Sequence, residues 1–299
     1  TNCFRSPISA YQEEIKHKTS LQCSLGYLSF FAYLNINFVS SYTMNYYEDT
    51  YEKFNPYLNK TSVYRDFVYP MWLPFDYSVS DGHYFLTFMY QPIGYYVLVG
   101  GFLTLDWLFL NIITHLRSQV TVIAFALTQV DCNIPGKRSF KSDNVQEMRI
   151  VKCIQELDVI LGLAEKLDSL ITVAVFSTFS SSLLILCCLS YLATVLSASF
   201  QISLYASIFG VTLIENFVVC WFCQEFTSEF FIVLRNVYDL DWLRYSTSLR
   251  RKLVILMTRL QKPPTFTLLR WSNIDMLLFI KVVRLASSFY TLLSNINGK

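Results

Sequence analysis

Few residues in this 299-residue chain stand at spacings that could support covalent or metal chemistry. Cys220 and Cys223 form one Cys-x-x-Cys pair, the spacing of dithiol redox and zinc sites. The pair closes an apolar stretch with no second pair and no nearby histidine, so packing at a membrane interface fits it better. Asp239 and Asp241 resemble the metal-binding Asp-x-Asp of nucleotide-sugar transferases, but without supporting carboxylates a surface or capping role is preferred. His17, His83 and His115 are far apart in sequence, and none belongs to a metal-spaced set. Neither a glycine-rich phosphate loop nor a Gly-x-Ser-x-Gly elbow is present. Enzymatic chemistry therefore has no foothold, and no catalytic residue, metal or cofactor is expected.

The most informative spacing lies near the end of the chain. Lys281, Arg284, Ser288, Thr291 and Asn295 fall on one helical face, because steps of three and four residues return to the same side. Polar groups held at membrane depth face a bundle interior or water, and a continuous stripe favours a water-filled path over helix packing. Leu292 and Ile296, one turn apart beside Asn295, are placed to form an apolar constriction that closes by dewetting. A second pattern is aromatic: Phe30, Phe31, Tyr33, Phe38 and Tyr42, then Tyr84, Phe85, Phe88, Met89 and Tyr90. Such residues belong to a core or interfacial belt in any membrane protein, and they also suit a cavity for small apolar ligands.

The elements that position these residues follow from composition. Hydrophobic residues make up 53% and charged residues 15%, against roughly 25% charged in soluble domains, which argues against a cytosolic enzyme. The 46 residues between Asp168 and Glu215 include no Asp, Glu, Lys, Arg or His. A bilayer needs roughly 20 residues per helix, so this run predicts spans near 170–196 and 202–224 around a turn at Ser197–Gln201. Further spans are expected at Tyr84–Thr114, Cys23–Met44 and Ile274–Ile296. The resulting fold class is all-α, a polytopic helical bundle with five spans present. Most cysteines are expected to be free thiols in this setting.

Lys and Arg are distributed unequally about these spans. Residues 1–21, 115–168 and 225–273 hold 18, while 45–83, the turn and the tail hold four. The basic side is expected in the cytosol, which puts the C-terminus outside and makes 45–83 an outer loop and 115–168 a cytosolic one. The outer loop carries six acidic residues and the glycosylation sequon at Asn59. An outside C-terminus argues against a G-protein-coupled receptor and for an inverted seven-helix topology. The chain opens on Thr1, and charges at Glu13, Glu14, Lys16 and Lys18 break any signal-peptide core; it reads as a fragment lacking its natural start.

Two groups of residues now carry a family resemblance. One is Trp242, the stretch from Lys252 through Leu260, then Gln261-Lys262-Pro263, and the ending around Ser288, Phe289, Tyr290 and Leu292. The other is Pro74-Phe75-Asp76 ahead of the aromatic helix containing Tyr90 and Gln91. Along essentially its whole length the chain resembles the insect odorant receptors, seven-helix ligand-gated cation channels. The resemblance implies that the first two helices are missing. It also implies that 1–224 holds the ligand-binding helices, the third to sixth of the family, and that 225–299 holds a cytosolic anchor helix near 241–262 and a pore-lining part near 268–296. A small volatile apolar ligand would bind in the outer half, with Phe31, Asn35, Phe38, Tyr42, Met89 and Ile93 as candidate lining. Leu292, Asn295 and Ile296 would form the pore and gate, and Trp242, Leu260 and Gln261 the subunit anchor. The implied partners are membrane lipid and a co-receptor subunit in a heterotetramer, with no nucleic acid, at the plasma membrane of sensory neurons. The connection between the fourth and fifth helices lacks the co-receptor's long insertion, so an odorant-tuned subunit is expected. Two departures stand out: Pro263-Pro264-Thr265 replaces the usual single-proline turn, and Lys281 and Arg284 place positive charge on a cation path. A gustatory receptor channel is the nearest alternative, but its Thr-Tyr-x-x-x-x-x-Gln-Phe ending is absent. A transporter, less favoured, would need paired ionisable groups at midplane; Asp106 and Glu215 are the acidic candidates and are expected near the cytosolic ends.

Overall fold

A computed structural model describes residues 81–132, 140–195, 199–242 and 245–297, strands at 51–55 and 60–64, and nine helical positions between 14 and 39. The described elements are strands β1 (Tyr51–Asn55) and β2 (Lys60–Tyr64), helices α1 (Asp81–Cys132), α2 (Phe140–Val195), α3 (Ser199–Asp239) and α4 (Thr247–Leu260), strands β3 (Thr267–Leu268) and β4 (Ser272–Asn273), and helix α5 (Met276–Asn297). Two compact units make up the chain, residues 25–107 and residues 1–24 with 108–299.

In the first unit β1 and β2 pair antiparallel, with Tyr51 opposite Tyr64 and Asn55 opposite Lys60. The segment expected as an outer loop therefore contains a hairpin. The start of α1 buries Thr87, Phe88 and Gln91, which recur at helical spacing. Most of the expected 23–44 span lies outside the described residues.

In the second unit the helices are far longer than a bilayer requires. With 56 and 41 residues, α2 and α3 extend about 84 and 62 Å, against about 30 Å of hydrocarbon. Of the expected turn at 197–201, Ser199, Phe200 and Gln201 fall inside α3, which starts three residues before the expected span at 202. Among the described residues, apolar stretches able to cross a membrane occur in Leu103–Val130, Val145–Leu192 and Ile208–Asp239. The expected final span folds as α5, whose 22 residues extend about 33 Å. Residues 115–132 and 140–168, expected as a cytosolic connection, are helical continuations of the spans.

Packing is unevenly divided along these helices. The main core joins Ile113, Leu127, Ile150, Leu157, Phe226, Phe230 and Val233 with the α4 residues Leu249, Leu253, Leu256 and Leu260, all on the basic side of the spans. The other core consists of Leu186, Val282 and Ala286, in the opposite half. Leu249, Leu253, Leu256 and Leu260 form one apolar stripe on α4 at steps of four, three and four. Ser246 caps that helix, accepting from the Leu249 amide at 3.4 Å. The cap is itself held by Glu147 of α2, which accepts from the Ser246 amide at 2.5 Å and its hydroxyl at 3.0 Å. At the other end Arg259 pairs with Asp158 and, at 3.6 Å, with Glu165. Both ends of α4 are thus tied to α2 by charge, and its middle by apolar burial.

Candidate functional site

The pattern of burial on α5 is the central geometric finding. Leu278, Val282 and Ala286, each four residues apart, are buried, whereas Lys281, Arg284, Ser288, Thr291 and Asn295 are exposed. At about 100° per residue the polar stripe lies some 140° round the helix from the packed seam. Among the described residues the stripe therefore takes no part in helix packing. Leu292 is 57% exposed, and the Ile296 side chain lies outside the described residues.

Beside the seam, α2, α3 and α5 flank a half-open cavity of about 430 Å³ lined by Leu189, Ser190, Tyr205, Phe209, Ser287 and Tyr290, among others. Its two serine hydroxyls are turned to backbone: Ser190 donates to Cys187 O at 2.7 Å and Ser287 to Arg284 O at 2.9 Å. The remaining lining is apolar apart from the tyrosines. The volume lies within the range of small-molecule sites, roughly 300–1,000 Å³.

The base of α5 is held by polar contacts from α2 and α3. Gln224 Oε1 accepts from the Met276 amide at 3.1 Å, and Asp275 Oδ1 accepts from the Leu278 amide at 2.9 Å, so the first turn is capped twice. Thr227 donates to Pro264 O at 3.2 Å. Asp168 accepts from the Thr267 amide at 2.7 Å and from its hydroxyl at 3.1 Å, and Thr172 donates to Thr267 O at 3.0 Å. Phe266 is buried edge-on to Phe109 at 5.7 Å and against Phe226 at 5.4 Å. The Pro263-Pro264-Thr265 departure thus leads into a fixed hairpin. Deeper in the base, the Arg117 guanidinium holds Glu225 at 2.6 Å and Glu229 at 3.0 Å.

The other expected site residues divide. Asn35 donates to Phe31 O at 2.7 Å, one helical turn back, so its amide is engaged by its own backbone. Met89 and Ile93 are 44% and 62% exposed, on the side of α1 away from Thr87, Phe88 and Gln91. None of these four residues lines the cavity beside α5. Phe38, Tyr42 and Asn59 lie outside the described residues. Leu260, expected to meet a neighbouring subunit, is fully buried in its own chain, and Trp242 packs against the same core. Both residues seat α4 within the chain, while Gln261, Val254 and Ile255 form its exposed surface. Glu215 lies about 24 Å of helix from the start of α3. Cys220 and Cys223 are buried in the main core as free thiols, consistent with packing. Sequence reasoning missed the cavity because its residues come from three helices. It missed the interior Thr87–Gln91 face because aromatics on both sides of α1 masked the periodicity.

A family model described as 7tm Odorant receptor matches residues 4–287. Odorant receptor 33a of Drosophila melanogaster is 26% identical over 232 residues, covering 77% of this chain and 60% of that protein. Putative odorant receptor 85d of the same species is 22% identical over 262 residues, or 87% of this chain and 62% of the relative. The chain thus spans about three fifths of the length of these relatives. The solved insect olfactory receptor OR5 from Machilis hrabei superposes with a TM-score of 0.73 at 14% identity, covering 96% of this chain and 70% of the other; its complex with eugenol gives 0.68. At that identity the likeness is one of fold.

Proposed function

We propose, from the premise that this chain belongs to the 7tm odorant receptor family, that it is an odorant-tuned subunit of a ligand-gated, non-selective cation channel. In this reading α5 lines a central pore, shared with co-receptor subunits in a heterotetramer at the plasma membrane of sensory neurons. The basic extensions of α1 to α3, with α4, form the cytosolic base through which subunits meet, and the C-terminus is outside. Small volatile apolar molecules are recognised in the outer half by residues of the Phe31, Asn35, Phe38, Tyr42, Met89 and Ile93 group. Leu292, Asn295 and Ile296 form the gate. The observation that carries the reading is the division of α5 into a packed apolar seam and an exposed polar stripe. A helix that had only to pack would have no use for five polar residues on its free face.

The cavity beside the seam gives the mechanism its room. Opening requires α5 to move against α2 and α3, and interiors resist such motion where they are densely packed. The base is dense and pinned by Gln224, Thr227 and Asp168, whereas the outer seam is thin and borders an apolar cavity. Motion would therefore be confined to the outer half, where ligand binds. The test is current recorded from the full-length protein, with and without a co-receptor, across a panel of volatiles. Odour-evoked cation current that needs both subunits is expected, and its absence with normal surface expression would sink the proposal.

A further inference from the structure

The β3–β4 hairpin ends in an unusual turn. Leu269 and Arg270 have φ values of 46° and 62°, and the Trp271 amide donates to Leu268 O at 2.8 Å, giving a turn with two consecutive left-handed residues. Asn and Gly normally occupy such positions because a Cβ is disfavoured there. Leu and Arg persist because the hairpin is fixed beneath them: Asp168 and Thr172 hold Thr267, and the Leu269 amide donates to Thr172 Oγ1 at 3.1 Å. The turn presents Trp271 with 93% of its surface exposed, an extreme value for a side chain that is highly buried on average.

Depth suggests what this tip meets. About 40 Å of helix separates Asp168 from the end of α2 at Val195, and the same length separates Phe226 from the start of α3 at Ser199. Asp168 accepts from Thr267 of β3, and Phe226 packs against Phe266 just before it. If the α2–α3 turn lies at one membrane face, the hairpin lies at the opposite one, since a bilayer with its headgroups is about 40–45 Å thick. Trp is enriched at that level because its ring is apolar and its indole N–H polar.

Charge narrows the class of ligand. Arg259, Lys262 and Arg270 line a cavity of about 400 Å³ under the hairpin, together with Glu165 and Asp168. Arg259 is paired with Asp158 and Glu165, and Asp168 is occupied by Thr267. The exposed cations left over are Lys262 and Arg270, which have no carboxylate partner among the described residues.

We propose that the hairpin tip is an interfacial anchor for anionic phospholipid, with Trp271 seated among headgroups and Arg270 and Lys262 meeting their phosphate and carboxylate groups. It would fix the base of α5 to the membrane surface on the basic side of the spans. The test needs no channel activity or orientation, so it stands apart from the receptor reading. The full-length protein and its Trp271→Phe variant are reconstituted in equimolar mixtures of phosphatidylcholine and phosphatidylserine, with one or the other lipid brominated near the headgroup, and the difference in emission isolates Trp271. Shallow bromines should quench this component, phosphatidylserine more strongly than phosphatidylcholine. Because each basic residue near the surface contributes about a fivefold preference, Arg270→Gln with Lys262→Gln should abolish the difference while leaving quenching itself. No quenching by either lipid would overturn the anchor, with emission that instead changes on subunit assembly marking a protein interface. Equal quenching by both lipids would overturn the anionic specificity.

Discussion

At the scale of single residues, the gate and the base make opposite demands on polarity. Leu292 is exposed beside Asn295 near the outer end of α5, where an apolar ring from several subunits would exclude water when closed. Leu292→Ser should raise current in the absence of odorant. Substitution of Asn295 should change ion permeability ratios without altering the odour ranking. Both effects should be partial, since co-receptor subunits supply the rest of the ring. Two-electrode recordings that find resting current and permeability unchanged at normal surface expression would move the pore elsewhere. In the base, Arg117 neutralises two carboxylates, of which Glu229 is buried. Arg117→Met leaves both acids facing each other without a cation, so it should destabilise the fold by about 1–3 kcal/mol, read as an earlier melting of detergent-solubilised protein. Raising ionic strength should recover little, because the pair is partly sheltered from salt. Cys153 offers a pH readout of the same region: burial, aided by Glu156, pushes its thiol up to about 11. The thiol is thus neutral and unreactive at physiological pH, and maleimide labelling should remain slow until pH approaches that value. Because the folded value lies above the ordinary thiol range, any stabilisation linked to the neutral thiol is present at lower pH and is lost as pH rises through about 11.

At the scale of elements, α4 behaves as a strut. Its leucine stripe is buried while the charges at Glu147 and Arg259 fix its ends. Leu253→Ala or Leu256→Ala should therefore cost about 2–5 kcal/mol by opening a cavity. Val254→Ser on the exposed face should leave the melting temperature of the isolated chain nearly unchanged while weakening subunit assembly on native gels. Equal destabilisation by both kinds of change would argue against an exposed assembly face. How much of this was legible in the sequence depends on the element. The two spans about Ser197 could be read directly, because 46 uncharged residues admit few alternatives. The polar stripe of α5 was legible for the same reason, its periodicity being a property of one helix. The lengths of α1 and α2 were not, since hydropathy reports where lipid ends and is silent on whether the helix continues. Hairpin β3–β4 was also hidden: its turn residues, Leu269 and Arg270, are the wrong types for their backbone, and only contacts from Asp168 and Thr172, about a hundred residues away, hold them there. The cavity, built from α2, α3 and α5 together, could not be seen from any single stretch.

At the scale of the molecule, the positive charges all but specify an orientation, and an epitope placed after Lys299 should be labelled on intact cells. Labelling only after permeabilisation would reverse the topology and with it the assignment of inside and outside to the base and gate. The division between a dense base and a thin outer seam leads to a sharper test of how binding becomes opening. The cavity beside α5 borders Ala206 and Ala286, small residues whose enlargement would fill it. Ala206→Phe should occupy part of the space that the outer half of α5 needs in order to move. Overpacking typically costs about 1–3 kcal/mol, and here that cost would fall more heavily on the open arrangement. The expected result is a smaller maximal odour-evoked current at normal surface expression, with the rank order of odorants preserved. Met89→Ala and Phe38→Ala should do the reverse: a methylene in an apolar pocket changes binding by only about 1–3 kcal/mol, so ranking shifts before response is lost. The two kinds of variant thus separate recognition from movement. Should Ala206→Phe reorder the odorants at undiminished maximal current, while Met89→Ala leaves the order untouched, the cavity beside α5 is itself where ligand binds, and recognition belongs to Tyr205, Phe209 and Tyr290.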